Sequence, residues 1–165
     1  MTALKTMLYH FCEWCNASPW GHGVRDSVWL FPFVEIFHLL ALGVLGGTIL
    51  ILNLRLLGFR FQSDPVSELA EDVKPWMLGS LGVMFVSGFL LFCTEAVKMY
   101  DSPAFRFKMI FLALAVVFTF TIHWKFITSD DARFSRFSRA VAAVVSLALW
   151  ACVGLGGRAI GYYGS

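Results

Sequence analysis

Four long apolar stretches constrain this chain more than any other feature of its sequence. They cover residues 36–54, 75–94, 109–124 and 140–157, and charged side chains bound each of them. A helix needs about 20 mostly apolar residues to cross about 30 Å of hydrocarbon. Flanking residues can extend each helix to its interfaces. The sequence therefore predicts four membrane spans at about residues 28–57, 75–98, 103–127 and 138–162.

The composition agrees with a chain that folds in a bilayer. Hydrophobic residues make up 58% of the 165 residues and charged residues only 15%, whereas soluble domains average about 25% charged. A net charge of +2 gives no reason to expect nucleic acid as a partner. The loops are short, so residues 1–165 are predicted to form one membrane domain, an all-α four-helix bundle with the lipid bilayer as its main partner.

The segment before the first span, residues 1–27, is too short and too polar to cross a membrane. Its apolar side chains Leu4, Met7, Leu8 and Phe11 recur at helical spacing. The sequence therefore predicts an interfacial helix that lies along the membrane surface.

The distribution of basic residues predicts the orientation of the bundle. The first and third loops with their flanks carry seven Lys and Arg residues, and the other side carries six. Because the richer side tends to remain cytoplasmic, both termini are expected outside.

Ionisable side chains at membrane depth are costly and raise a functional hypothesis by default. At about 1.5 Å of rise per residue, His38 lies about 10 Å below the outer surface, with Glu35 one turn above it. The third helix enters from that side at Lys108, and the second and fourth helices end there at Glu95 and Arg158. The sequence therefore predicts one polar layer that contains Glu35, His38, Glu95, Lys108 and Arg158.

The chemistry of this layer suits haem binding. A neutral imidazole such as that of His38 ligates iron, and cationic side chains such as Lys108 and Arg158 hold propionates. The glycines of residues 154–157 leave room for a macrocycle. A structural alternative stays open, in which Glu95 pairs with Lys108 or Arg158 and His38 bonds to a neighbour.

His123 lies near the opposite end of the third span, beside Trp124 and Lys125. It is about 20 Å below Lys108 along the helix, so it cannot share a metal atom with His38. It could ligate a second haem. Its aromatic and cationic neighbours favour a position at the inner headgroup level.

Cys12 and Cys15 form a C-E-W-C sequence in the N-terminal segment, two residues after His10. Asn16 stands where a c-type haem site needs histidine, so that site is excluded. Two thiolates with His10 could bind copper or zinc, although the sequence shows no evident fourth ligand. A disulfide or a purely structural role is also open for the two cysteines.

Two glycine pairs have the G-x-x-x-G spacing that lets helix backbones approach closely, Gly43 with Gly47 and Gly157 with Gly161. They are expected to serve packing within the bundle, and a homo-oligomer is the alternative.

Two long segments carry a family resemblance, RDSVWLFPFVEIFHLLALGVLGGTILILNLRLLGF and SGFLLFCTEAVKMYDSPAFRFKMIFLALA. They look like a bacterial family of small four-helix membrane proteins without an assigned activity. The resemblance implies a multi-pass protein of the bacterial inner membrane.

The layout is more distantly similar to HemJ-type protoporphyrinogen oxidases and to CopD-type copper-resistance membrane proteins. His38, Arg55 and Lys108 match a histidine, an arginine and a lysine of the HemJ pattern, which implies a haem b site at His38 and Lys108. The CopD similarity implies copper handling, with outer ligands drawn from His10, Cys12, Cys15 and His22.

The leading hypothesis is therefore a haem b-binding membrane protein, similar to a cytochrome b, with an electron-transfer or oxidoreductase role. The alternatives are a copper-handling or other metal-handling membrane protein and a non-catalytic membrane subunit of a larger complex.

Overall fold

The structure is a computed structural model that describes residues 3–59, 66–128 and 134–163. These residues form helices joined by short turns, with no strand among them. The helices, in chain order, are α1 (Ala3–Asn16), α2 (Pro19–Asp26), α3 (Leu30–Leu56), α4 (Val66–Thr94), α5 (Ala96–Asp101), α6 (Pro103–Phe118), a π-helical turn (Thr119–His123), α7 (Trp124–Thr128) and α8 (Arg136–Tyr163).

Four helical segments of the described chain are long and apolar enough to cross a membrane, namely Leu30–Leu56, Glu68–Thr94, Pro103–Ile127 and Arg136–Tyr162. Their most apolar windows have mean hydropathies of 1.9–2.0, yet only 22–28% of each window is buried inside the protein. So much outward apolar surface needs hydrocarbon around it. The prediction of a polytopic four-helix membrane protein with a preceding N-terminal helix is confirmed.

The bundle consists of two closely packed helix pairs. Helix α3 packs along α4, and α6 packs along α8. Among the described residues, α6 has no comparable contact with α3 or α4. We call the boundary between the α3–α4 pair and the α6–α8 pair the inter-pair seam.

Aromatic side chains join the two pairs at different levels of the seam. Trp124 and Trp150 pack against a buried cluster of Leu45, Ile49 and Met77 in the middle of the bundle. At the end where α4 finishes and α6 begins, the rings of Phe92 and Phe105 stack with centroids 5.3 Å apart. The seam is therefore bridged across its middle and at the end where α4 finishes and α6 begins.

Local sequence signals explain where several helices begin and end. Ser102 caps α6 by accepting a hydrogen bond from the Phe105 amide at 3.4 Å, and Pro103 occupies the first helical position. Helix α3 ends before Gly58, whose φ of +95° suits a residue without a side chain.

Helices α1 and α2 form a hairpin that docks on the C-terminal end of α4. Arg25 holds this hairpin, because its Nη1 donates to the Asn16 side-chain oxygen and to the Thr94 carbonyl, each at 3.1 Å. Ser18 caps α2 by accepting from the Gly21 amide at 3.1 Å. The N-terminal segment is thus bonded to the bundle as well as placed at its surface.

Candidate cofactor site

His38 faces α4 across the α3–α4 interface, where its Nδ1 lies 2.8 Å from the Ser87 hydroxyl. The Ser87 hydroxyl donates to the Val83 carbonyl at 2.5 Å, so its lone pair accepts from the ring. Nδ1 therefore carries the proton, and Nε2 keeps the lone pair with which a neutral imidazole binds a metal. A hydrogen bond on the opposite nitrogen is the usual way to orient a ligating histidine.

Gly88 makes this position of the imidazole possible. A Cβ at Gly88 would lie 3.2 Å from Cε1 of His38 and 3.7 Å from its Nδ1. Such contacts are tighter than side chains normally make, so any larger residue would displace the ring from Ser87. The half-buried His38 side chain is held by both Ser87 and Gly88.

Lys108 lies on the other side of the seam, at the α6–α8 interface. Cβ atoms at Gly156 and Gly157 would lie 3.1 Å from its Cβ and 3.6 Å from its Nζ. The lysine side chain thus takes up the room that the sequence assigned to a macrocycle at these two glycines. The two predicted residues therefore lie in different interfaces, His38 between α3 and α4 and Lys108 between α6 and α8.

Lys108 has no acidic partner among the described residues. The ion pairs of the described chain join other side chains, and none includes a carboxylate within 4 Å of Lys108 Nζ. A half-buried ammonium inside a membrane span is costly without a counter-charge. The alternative in which Glu95 pairs with Lys108 is therefore not seen among the described residues, where Glu95 pairs with Lys98.

The other three residues of the predicted polar layer lie on the surface of the bundle. Glu35 is exposed, one turn from His38. Glu95 pairs with Lys98 at 3.7 Å, and Arg158 lies over the Tyr162 ring at 5.4 Å from its centroid. His38 and Lys108 are half-buried in the helix interfaces of the two pairs, whereas these three residues are exposed.

The residues predicted as outer metal ligands lie in different surroundings. His10 is exposed and pairs with Glu13 at 3.2 Å. The Arg25 guanidinium donates to Nδ1 of the exposed His22 ring at 3.0 Å. Cys12 and Cys15, by contrast, are 4% and 0% exposed. Within the described ranges, no group of three His, Cys, Asp or Glu side chains is placed to hold a metal ion.

Cys12 and Cys15 face the bundle and form a buried cluster with Cys93 of α4. All three are free thiols. Burial raises the pKa of the Cys12 thiol, and the nearby Cys15 and Asp101 raise it further. This cluster has no hydroxyl or imidazole among its buried members.

A second polar group, which the sequence reasoning missed, lies deeper in the bundle. His123 is 1% exposed, and its Nε2 lies 2.9 Å from the Asn53 side-chain oxygen. Asn53 also donates to the Ile49 carbonyl at 2.7 Å and to the Ser146 hydroxyl at 3.2 Å. His123 is therefore an interior residue, whereas its neighbours in sequence had favoured the headgroup level.

The π-helical turn positions His123 in this group. Its extra residue per turn changes the direction in which the following side chains point, and such turns are frequent at functional sites. Thr119 opens the turn and accepts a hydrogen bond from the Trp150 indole at 3.1 Å. The signal available in the sequence was the set of polar residues inside three spans, Asn53, Thr119 and Ser146.

An apolar groove of about 330 Å³ lies beside Lys108, where α6 begins on the α6–α8 pair. It is lined by Pro103, Ala104, Phe107, Leu155, Gly156 and Ala159. Gly156 belongs both to this groove and to the Lys108 contact.

The fold and its polar seam define a polytopic membrane protein, a four-helix bundle with an N-terminal helical hairpin. Residues 11–163 match the family model described as Family of unknown function (DUF6644), and the chain belongs to this family. No curated protein and no solved structure matches the chain. The comparisons support the resemblance to a family without an assigned activity, and they show no similarity to the HemJ or CopD types.

Proposed function

We propose that the protein binds haem b in the inter-pair seam and takes part in membrane electron transfer, with Nε2 of His38 as the nitrogen that would hold the haem iron. The observation that carries this proposal is the hydrogen bond from His38 Nδ1 to Ser87 at 2.8 Å. It leaves Nε2 as the basic nitrogen, in the arrangement that supports ligating histidines in metalloproteins.

The charges around His38 agree with a haem ligand. Lys108 brings a positive charge that lacks an acidic partner among the described residues, and haem carries two propionates that need cations. Arg158 directly follows Gly157, the α8 residue next to Lys108, and offers a second cation at the surface. A bound haem would thus supply the negative charge that the described site does not contain.

The walls of the seam are suited to a flat apolar cofactor. Helix α6 does not pack closely on α3 or α4, and Phe92 stacks on Phe105 at the outer end. Apolar and aromatic walls with a few polar groups are typical of cofactor sites. When bound, haem supplies one-electron redox chemistry, for which a quinone-linked or porphyrin-linked partner reaction is the natural class.

Arg55 is separate from this site, although it matches the HemJ pattern together with His38 and Lys108. It lies 17 residues beyond His38 on α3, which is about 25 Å along a helix. Haem binding at His38 and Lys108 therefore does not require that the protein oxidise protoporphyrinogen.

The test is a reduced-minus-oxidised absorption spectrum of the full-length protein, purified in detergent and then incubated with haem b. We expect a Soret and an α band in the wild type and the loss of both in His38→Ala. His10→Ala is the matched control, because His10 is an exposed histidine outside the bundle, and it should keep both bands. A wild type that stays colourless, or a His38→Ala variant with an unchanged spectrum, would overturn the proposal.

The same preparation tests the other functions suggested by the sequence. Copper that co-purifies and is lost in a Cys12→Ser, Cys15→Ser variant would support metal handling. A colourless, metal-free protein that co-purifies with other membrane chains would support the role of a non-catalytic subunit. The separate surroundings of His10 and the two buried cysteines give copper handling less support than haem binding.

A further inference from the structure

The outer end of the bundle contains a pair of thiols from distant parts of the chain. Cys15 lies at the end of α1 and Cys93 at the end of α4, and their side chains belong to one buried cluster. They are 0% and 2% exposed. Cys12, one turn before Cys15, borders the same cluster at 4% exposure.

The backbones of the two cysteines are also close. A Cβ at Gly21 would lie 2.8 Å from the Cys15 carbonyl oxygen and 2.7 Å from the Cys93 carbonyl oxygen. Both main chains thus approach a single point on α2. This proximity suits a disulfide, which needs Cα atoms about 4.4–6.8 Å apart.

Polar contacts fix the geometry around the thiols. The Ser18 hydroxyl donates to the Cys15 carbonyl at 2.6 Å, and Arg25 binds the Thr94 carbonyl next to Cys93 at 3.1 Å. The two cysteines are therefore held together by contacts that do not depend on their sulfur atoms.

We propose that Cys15 and Cys93 form a disulfide that links the N-terminal hairpin covalently to the second membrane span. Cys12 is the less suitable partner of Cys15, since both lie on consecutive turns of α1 and their bond would connect α1 only to itself. The charge distribution predicts this end of the bundle on the outer side, where disulfides persist.

The reaction is a thiol–disulfide exchange with a small disulfide donor, for which oxidised glutathione is the probe. One cysteine thiolate attacks the donor disulfide, forms a mixed disulfide and releases one donor thiol. The second cysteine thiolate then attacks the protein sulfur of the mixed disulfide and releases the second donor thiol. The two cysteines lose two protons and two electrons, and the donor disulfide is reduced to two thiols.

The test counts the thiols that reduction releases in the full-length protein. Membranes are denatured with excess N-ethylmaleimide, which blocks free thiols, then reduced and labelled with a polymer-linked maleimide. A parallel sample is first treated with oxidised glutathione. We expect two polymer adducts on the wild type, on Cys12→Ser and on Cys152→Ser, and none on Cys15→Ser or Cys93→Ser.

Each other outcome counts against the pairing. Two adducts on Cys93→Ser would mean that Cys12 and Cys15 are joined, and two on Cys15→Ser would mean that Cys12 and Cys93 are joined. No adducts on the wild type, even after treatment with oxidised glutathione, would overturn the disulfide altogether. Peptide mass spectrometry of the unreduced wild type gives the connectivity without any variant, so a misfolded variant does not obscure the result.

Discussion

Two histidines inside the bundle have one ring nitrogen held by a polar neighbour and the other left with a lone pair. His38 donates through Nδ1 to Ser87, and His123 donates through Nε2 to Asn53, whose amide nitrogen is already used in donating elsewhere. Nδ1 of His123 is buried and has no hydrogen-bond partner among the described residues. The neighbours thus select opposite tautomers in the two rings.

The Ser87 hydroxyl is predicted to support haem binding without touching the cofactor. Ser87→Ala removes the acceptor that orients His38, so we expect the Kd for haem to rise about 10–100-fold. Ser80→Ala is the control, because Ser80 is a buried serine of the same helix whose hydroxyl bonds to the Met77 carbonyl at 3.1 Å. Haem titration of the two purified variants measures the effect, and equal affinities would contradict the role of Ser87.

The Asn53 side chain is predicted to stabilise the inner half of the bundle. Asn53→Leu leaves the buried Nε2–H of His123 without an acceptor, which should lower the free energy of unfolding by about 1–3 kcal/mol. Thr121→Val is the control, since Thr121 is exposed and bonds only within its own helix, to the Val117 carbonyl. Unfolding in mixed detergent micelles compares the variants, and equal losses would show that the His123 contact contributes nothing.

At the scale of helices, glycines decide how closely neighbouring elements approach. Gly156 permits the contact between α8 and Lys108 on α6, and Gly88 permits the contact between α4 and His38 on α3. The same helix α8 carries Gly154, around whose Cβ position there is open space. Glycine spacing alone therefore does not identify the face of α8 that contacts α6. Gly154 and Gly156 are distinguished only by the residues around them.

This difference gives a test on one helix. Gly156→Ala places a Cβ 3.1 Å from the Lys108 Cβ and 3.2 Å from its Cα, so α6 and α8 must separate at a cost of about 1–3 kcal/mol. Gly154→Ala meets no neighbour, and alanine favours the helix by up to about 1 kcal/mol. Thermal unfolding should show a lower midpoint for the first variant and an unchanged or higher one for the second. Similar losses in both would contradict the assigned packing.

The spans could be predicted from the sequence because long apolar runs between charges have few other solutions in a bilayer. The depth of a residue along its span is also predictable, since it follows from the rise per residue. The burial of His123 could not be predicted, because it depends on how the helices are rotated about their axes and on the π-helical turn. The surface positions of Glu35 and Arg158 were missed for the same reason.

At the scale of the whole molecule, two helix pairs are joined by a seam and covered at one end by the α1–α2 hairpin. The hairpin, the His38–Lys108 site and the thiol pair all lie toward the end where α4 finishes. The His123 group lies toward the other end. The bundle is thus chemically different at its two faces, which makes its orientation in the membrane a functional property.

The basic residues predict that the hairpin end faces outward. Seven Lys and Arg residues on one side against six on the other favour a cytoplasmic position for the first and third loops. An alkaline phosphatase fused to the C-terminus should therefore be active, whereas one fused after Phe134, in the third loop, should be inactive. The reverse pattern would place the hairpin and the thiol pair in the cytoplasm.

The bond between Arg25 and the Thr94 carbonyl also constrains the order in which the molecule is assembled. The two residues are 69 positions apart, so the hairpin is synthesised well before its docking surface exists. It must wait at the membrane until the second span has crossed and its end has emerged on the same side. Assembly therefore proceeds against the order of synthesis at this end, and the segment that is made first reaches its final position after the helices that follow it.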